Sequence, residues 1–155
     1  MSHSRRATLG LLLGLAVSAC GRPRPREEVT RAQMAPGNTP EMQALVRKYA
    51  RIHDIPESLI HRVIRRESGY NAAARNGPYY GLMQILPQTA QTMGYRGAPE
   101  GLLDAETNLM FAGRYLRGAW IVSRGNEDRA VMWYAKGYYY EAKRLGLLEE
   151  TGLRT

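Results

Sequence analysis

Glu67 is the residue whose type and placement promise chemistry. Reading back from it at helical spacing gives Val63 and Ile64, then Ile60, then Pro56, so an apolar helical stripe ends in a carboxylate. A glutamate on such a stripe loses hydration in its charged form, which raises its pKa. The result is an acid able to hold a proton near neutral pH. Ser68 and Gly69 stop the helix, because Gly readily takes the left-handed conformation after a helix end, and Glu67 is left in a terminal turn that a ligand can reach. The competing reading is a solvated glutamate that pairs with the adjoining Arg65 and Arg66.

A second stretch bears on that choice. Arg65-Arg66-Glu67-Ser68-Gly69-Tyr70-Asn71 is followed ten residues later by Gly81-Leu82-Met83-Gln84-Ile85-Leu86-Pro87. Glu-Ser alone carries no information. Helix, Glu-Ser-Gly-aromatic-Asn, a short loop and Gly-Leu-Met-Gln-Ile-x-Pro in that order is a compound signal, and it resembles the lytic transglycosylases of the goose-type lysozyme fold. The resemblance runs from about Glu41 to Leu145 and includes Asn108-Leu109, Ala112-Gly113-x-Tyr115-Leu116 and Tyr134-Ala135-Lys136-Gly137. The family usually has Tyr-Asn-Ala-Gly at the last of these. Tyr134 and Gly137 match, whereas Ala135 stands for the Asn and Lys136 for the Ala.

The resemblance implies a mainly α, α+β lysozyme-like fold, in which about six helices carry a small β-hairpin-like segment beside the cleft. It implies Glu67 as the catalytic residue and Tyr134 as its neighbour. Ser68, Tyr70, Gly81, Met83 and Gln84 complete the expected substrate-facing set: Gly81 to let backbone approach a ligand, Gln84 to offer an amide to a sugar. The side chains of Met83 and Ile85 are expected in the core. The implied reaction breaks the bond between N-acetylmuramic acid and N-acetylglucosamine without water. The glutamate protonates the leaving oxygen, then deprotonates the muramic acid 6-hydroxyl, which closes a 1,6-anhydro ring. Standard glycosidases use two carboxylates; here Glu100, Asp104 and Glu106 are candidates for a second, and Asp104 is better explained as a helix cap. A hydrolytic muramidase and a non-catalytic wall-binding or scaffold module are the alternatives.

The elements that must position these residues follow from caps and periodicity. Thr39 and Pro40 start a first helix with Met42, Leu45, Val46, Tyr49 and Ile52 as its core face. The second helix runs from about Pro56 to Ser68. Arg75-Asn76-Gly77-Pro78 is turn chemistry, and Tyr79 to Ile85 is too short and Gly-broken for a helix, so a hairpin-like segment is expected there. Pro87 opens a short helix that Gly94 closes, and Tyr95 to Leu103 reads as loop. Asp104 caps a long helix of about 105–123 with Leu109, Ala112, Leu116 and Trp120 on one face. Asn126 starts the next, and Tyr138 to Leu145 makes the last, with at least one of its three leading tyrosines buried. His53 and His61 have no second ligand at metal spacing and read as surface residues; no metal or cofactor is expected.

A chain of 155 residues with 44% apolar composition suits one folded domain. From Glu41 onward it holds 16 basic and 12 acidic residues, a net +4, which suits a polyanionic partner such as cell wall or an anionic membrane surface. No basic stripe with interleaved aromatics and no zinc spacing point to nucleic acid. Before the domain, Arg5 and Arg6 precede an apolar run from Ala7 to Ala19, too short to span a bilayer, so residues 1–19 read as an export signal. Val17-Ser18-Ala19-Cys20 resembles the bacterial lipobox, which implies lipidation of Cys20, the one cysteine present. Residues 20–40 are polar and proline-punctuated and read as a tether. The expected whole is a monomeric catalytic domain of residues 41–155, lipid-anchored in a bacterial envelope, most simply at the outer membrane and facing the periplasm.

Overall fold

Thr39 opens the first helix as its side chain requires: Oγ1 accepts the Met42 backbone N–H at 3.2 Å, and Pro40 occupies the position whose N–H would otherwise be orphaned. The computed structural model describes residues 37–154. The expected leader, Cys20 and most of the expected tether lie outside the described residues. In chain order the elements are α1 (Pro40–His53), α2 (Glu57–Glu67), β1 (Arg75–Asn76), β2 (Tyr79–Tyr80), α3 (Pro87–Thr92), a 3₁₀ turn over Pro99–Leu103, α4 (Ala105–Val122), α5 (Glu127–Lys136) and α6 (Tyr139–Leu145). The two strands pair antiparallel, Arg75 with Tyr80 and Asn76 with Tyr79. The fold is mainly helical with one two-stranded sheet, in keeping with an α+β lysozyme-like architecture.

Helix α4 is the axis of the molecule. It packs against α1, α3, α5, α6 and the 3₁₀ turn, and it buries Leu109, Ala112, Leu116, Ala119 and Val122. Asp104 caps it by accepting the Thr107 N–H at 2.8 Å. Two glycines on α4 set how closely its neighbours come. A methyl group at Gly113 would lie 2.5 Å from the His53 ring, and one at Gly118 would overlap the Tyr138 hydroxyl. Each therefore marks a point where a ring from another helix lies directly on the α4 backbone.

Two expectations about α1 are corrected by this packing. Ile52, expected in the core, is 57% exposed, and His53, expected at the surface, is 6% exposed. The stripe through Val46, Tyr49 and Ala50 continues at helical spacing to position 53, which puts the imidazole over Gly113 and turns Ile52 outward. The His53 Nε2–H donates to the Leu109 carbonyl at 3.0 Å. Burial pushes its pKa down, so the ring is held neutral. The stretch 95–103, expected to be loop throughout, contains the 3₁₀ turn, with Leu102 fully buried beneath the hairpin. Of the three consecutive tyrosines, Tyr138 is buried and donates to the Tyr115 carbonyl at 2.8 Å, while Tyr139 and Tyr140 are exposed. No helix among the described residues is long and apolar enough to cross a membrane.

Candidate active site

Helix α2 delivers Glu67 at its last turn. Leu59, Ile60, Val63 and Ile64 bury one face, and Glu67 continues that face at the point where the helix stops. The stop is local: Ser68 is the C-cap, its N–H and that of Gly69 both bond the Ile64 carbonyl at 3.0 Å, and Gly69 takes φ 57°. The Glu67 side chain keeps 24% of its surface exposed. Burial pushes its pKa above the ordinary glutamate value, and the Arg66 guanidinium, 3.6 Å away, pulls part of the way back. Both readings of the residue are therefore partly realised: a carboxyl at the end of an apolar stripe, with a weak ion pair to its sequence neighbour.

Next to this helix end in the site stands a four-residue turn, Gly81 to Gln84, reached through Tyr134 and closed by paired hydrogen bonds between Tyr80 and Ile85, each 3.1 Å. Asn108, fully buried on α4, holds it from beneath. Its Nδ2 donates to the carbonyls of Tyr80 at 2.9 Å and Leu102 at 2.8 Å, and its Oδ1 accepts the Met83 N–H at 2.9 Å. Tyr134 on α5 holds the turn from the side, donating from Oη to the Met83 carbonyl at 2.8 Å. Burial first, and then the charge of Glu67, push the Tyr134 pKa well up, so the phenol stays neutral and shares its surroundings with the glutamate. Tyr134 also meets Tyr115 edge-on at 5.5 Å between ring centres.

A cleft of about 210 Å³ opens on this arrangement, lined by Tyr79, Gln84, Ile85, Leu86, Thr89, Tyr115, Tyr134, Ala135, Lys136 and Gly137. Glu67 does not line this hollow itself; Tyr134 connects the two. Larger hollows elsewhere, one along Ile52, Met110, Arg114 and Arg117 and one along Arg47, Arg51 and Trp120, contain neither residue. Chemistry rather than volume therefore singles out the smaller one.

The structure distributes the expected site residues unevenly. Gln84 and Tyr134 share the lining of the cleft, and Glu67 lies near enough to Tyr134 for its charge to act on the phenol. Gln84 lines the cleft, but its Nε2 spends both hydrogens on the carbonyls of Ala74 at 3.1 Å and Gly81 at 2.8 Å, leaving only Oε1, buried and without a partner, to meet a sugar hydroxyl. Gly81, with φ 76°, has an internal reason to be glycine: a Cβ would overlap Asn108 Nδ2 and the Leu102 carbonyl. Met83 is fully buried and both its backbone groups are taken. Ser68 is half-buried at the helix cap, its hydroxyl 3.4 Å from the Ile64 carbonyl. Tyr70, expected to face substrate, is 3% exposed and stays out of the cleft. Its hydroxyl meets His61 Nδ1 at 2.9 Å, while His61 Nε2 lies 3.4 Å from Glu57. In the tautomer that directs Nε2–H at that carboxylate, Nδ1 accepts the hydrogen bond that the Tyr70 hydroxyl donates. The aromatic position after Ser-Gly thus anchors the turn behind Glu67.

Tyr79, Tyr115, Thr89 and Lys136 line the cleft without having been singled out as ligand contacts. A signal for Tyr79 was present: in a two-residue strand, side chains alternate, so one of Tyr79 and Tyr80 must point away from the core. Tyr79 is 41% exposed, and Tyr80 is 8% exposed with the Arg75 guanidinium stacked 4.4 Å over its ring.

The other carboxylates considered are engaged elsewhere. Asp104 caps α4, Glu106 pairs with Lys48 and accepts from Tyr49 Oη, and Glu100 is exposed in the 3₁₀ turn. Among the described residues no group of His, Cys, Asp and Glu has the makings of a metal site. No solved structure matches the chain closely enough to compare with it. Residues 44–146, well over half the chain and running from within α1 to just past the end of α6, match the family model of the Transglycosylase SLT domain, and the chain belongs to that family of peptidoglycan-acting lytic transglycosylase domains.

Proposed function

We propose that the chain cleaves the β-1,4 bond between N-acetylmuramic acid and N-acetylglucosamine without water, with Glu67 as acid and then as base. The observation that carries this reading is a half-buried carboxyl whose proton affinity is raised by burial, coupled electrostatically to Tyr134 on the wall of a neighbouring cleft whose lining holds no carboxylate of its own. In the first step the protonated Glu67 donates to the glycosidic oxygen as the bond breaks. In the second, the carboxylate so formed takes the proton of the muramic acid 6-hydroxyl, whose oxygen attacks C1. The nucleophile is part of the substrate, so no group has to hold a water, and the ring closure has the entropic advantage of an intramolecular step. Atoms balance, because the proton given to the leaving hydroxyl is recovered from the 6-hydroxyl.

Tyr134 fits this sequence in one specific way. Its single O–H is committed to the Met83 carbonyl, so towards Glu67 and the substrate it offers lone pairs only. It can accept from the protonated acid or from a sugar hydroxyl, and it stabilises the state in which Glu67 holds its proton.

The test is Glu67→Gln assayed on purified peptidoglycan, with released muropeptides read by mass spectrometry. The amide keeps the volume and cannot supply the proton, so turnover should fall by at least about 10²-fold, the usual weight of a general acid. The melting temperature at pH 7 should be unchanged or slightly higher. Glu67 has a raised pKa in the folded state, so its contribution to stability is present at low pH and is lost as pH rises through that pKa, and the amide escapes the loss. Turnover within a few-fold of wild type would place the chemistry on another residue.

A further inference from the structure

Lys136 occupies the last turn of α5, two residues beyond Tyr134, and is exposed on the wall of the cleft. It is the single charged side chain among the described residues that line that hollow, and it has no ion-pair or hydrogen-bond partner among the described residues. Lys48, Arg62, Arg66 and Arg144 have carboxylate partners, while Arg47, Arg51, Arg65 and Lys143 are, like Lys136, without an ion pair among the described residues, so what sets Lys136 apart is its place on the cleft wall. A lysine in a last helical turn favours the helix dipole wherever it sits in that turn, which does not account for a place inside a cleft lined by three tyrosines. Its neighbour Ala135 matters as well. Against the Asn-Ala of the pattern this stretch resembles, the chain has Ala followed by Lys, so an uncharged polar side chain gives way to a cation one position on.

We propose that Lys136 is a specificity-determining residue that selects glycan strands by a carboxylate they carry beside the scissile bond, an inference that rests on the reading of this cleft as the glycan site. Peptidoglycan offers that carboxylate from two sources: the acidic groups of a stem peptide on muramic acid, or the lactyl carboxylate exposed where the peptide has been removed. Polymers of N-acetylglucosamine alone carry neither. The lysine therefore separates muramic-acid-containing strands from neutral sugars of the same backbone.

The experiment measures equilibrium binding in a Glu67→Gln background, so that affinity is read without turnover, with Lys136→Met and Lys136→Arg added in turn. The probes are soluble peptidoglycan strands with intact peptides, the same strands with their carboxyls amidated, strands stripped of peptide, and an uncharged N-acetylglucosamine oligomer. Lys136→Met should weaken binding of carboxylate-bearing strands by about two- to fivefold, the range of an exposed ion pair. Arg should restore it, and salt should close the gap. Amidated strands and the uncharged oligomer should not distinguish the variants. A loss seen with peptide-bearing strands alone assigns the stem peptide, and one that extends to stripped strands assigns the lactyl group. An equal loss on uncharged and charged probes, no difference between Lys and Met on any strand, or no binding at all overturns the proposal. Failure of the catalytic reading shows separately, as wild-type protein that binds strands and releases no product.

Discussion

Two opposing influences set the proton affinity of Glu67: the apolar face of α2 removes water from it, and Arg66 sits 3.6 Å from its Oε1. Burial is the larger of the two. On the proposed mechanism the first chemical step needs the protonated acid, so kcat/KM should fall as pH rises through the pKa of Glu67. Arg66→Leu removes the charge that favours the carboxylate, so the pKa should rise further and the alkaline limb of the profile should move to higher pH. A pH series of kcat/KM for the two proteins checks this, and a limb that stays in place or moves down contradicts it. The placement of Glu67 was readable because its cause is local, an apolar stripe and a glycine stop within a few residues. The placements of Tyr70 and His53 were not, since each depends on a ring or backbone group contributed from elsewhere in the fold: His61 for one, Gly113 and Leu109 for the other.

Three helices hold the site, and each does so by a different bond. Helix α2 carries Glu67 and is tied to the start of α5 by Arg62, which bridges Glu127 and Asp128, and by Ser58, which donates to Glu127. Helix α5 carries Tyr134 in its last turn, and α4 supplies Asn108. Asn108→Ala should leave the Met83 N–H and the carbonyls of Tyr80 and Leu102 without their partner, at a cost of about 2–4 kcal/mol in denaturant unfolding. Tyr134→Phe leaves one carbonyl unpaired and should cost less, about 1–2 kcal/mol, yet reduce turnover more per unit of stability lost, since on the proposed mechanism it removes the oxygen that can accept from the protonated acid or the substrate. The reverse ranking would mean that the turn is held mainly by Tyr134. Helix starts were legible to within a residue or so because Thr39, Asp104 and Asn126 each act on an N–H group three positions away. Asn108 was recognised only as part of a pattern, because its three partners lie 6, 25 and 28 residues distant in the chain and nothing local announces them. Gly81 was legible as a needed glycine, but its reason, the space taken by Asn108, was not.

On the scale of the whole chain, one helical domain carrying a net charge of +4 from Glu41 onward would work against an anionic polymer, and the chain before it is proposed to deliver that domain to the envelope. We propose that residues 1–19 are removed on export and that lipidated Cys20 anchors the domain through residues 20–40. Cys20→Ala should abolish fatty-acid labelling and membrane retention while the domain from residue 41 keeps its activity; label persisting in the variant would sink the anchor. The fold class was legible because capped helices fill most of residues 40–146, and the turn-rich stretch between α2 and α3 is short enough to leave room for a hairpin and little more. What gathers the helices, the small residues of α4 lying under His53 and Tyr138, is a tertiary fact that composition alone does not convey. The account as a whole depends on an internal nucleophile replacing water, and digestion of purified peptidoglycan in ¹⁸O-labelled water tests that most directly. Products that end in 1,6-anhydromuramic acid without incorporated label are the predicted result, whereas ¹⁸O at new muramic acid reducing ends would show a hydrolase and contradict the single-glutamate mechanism.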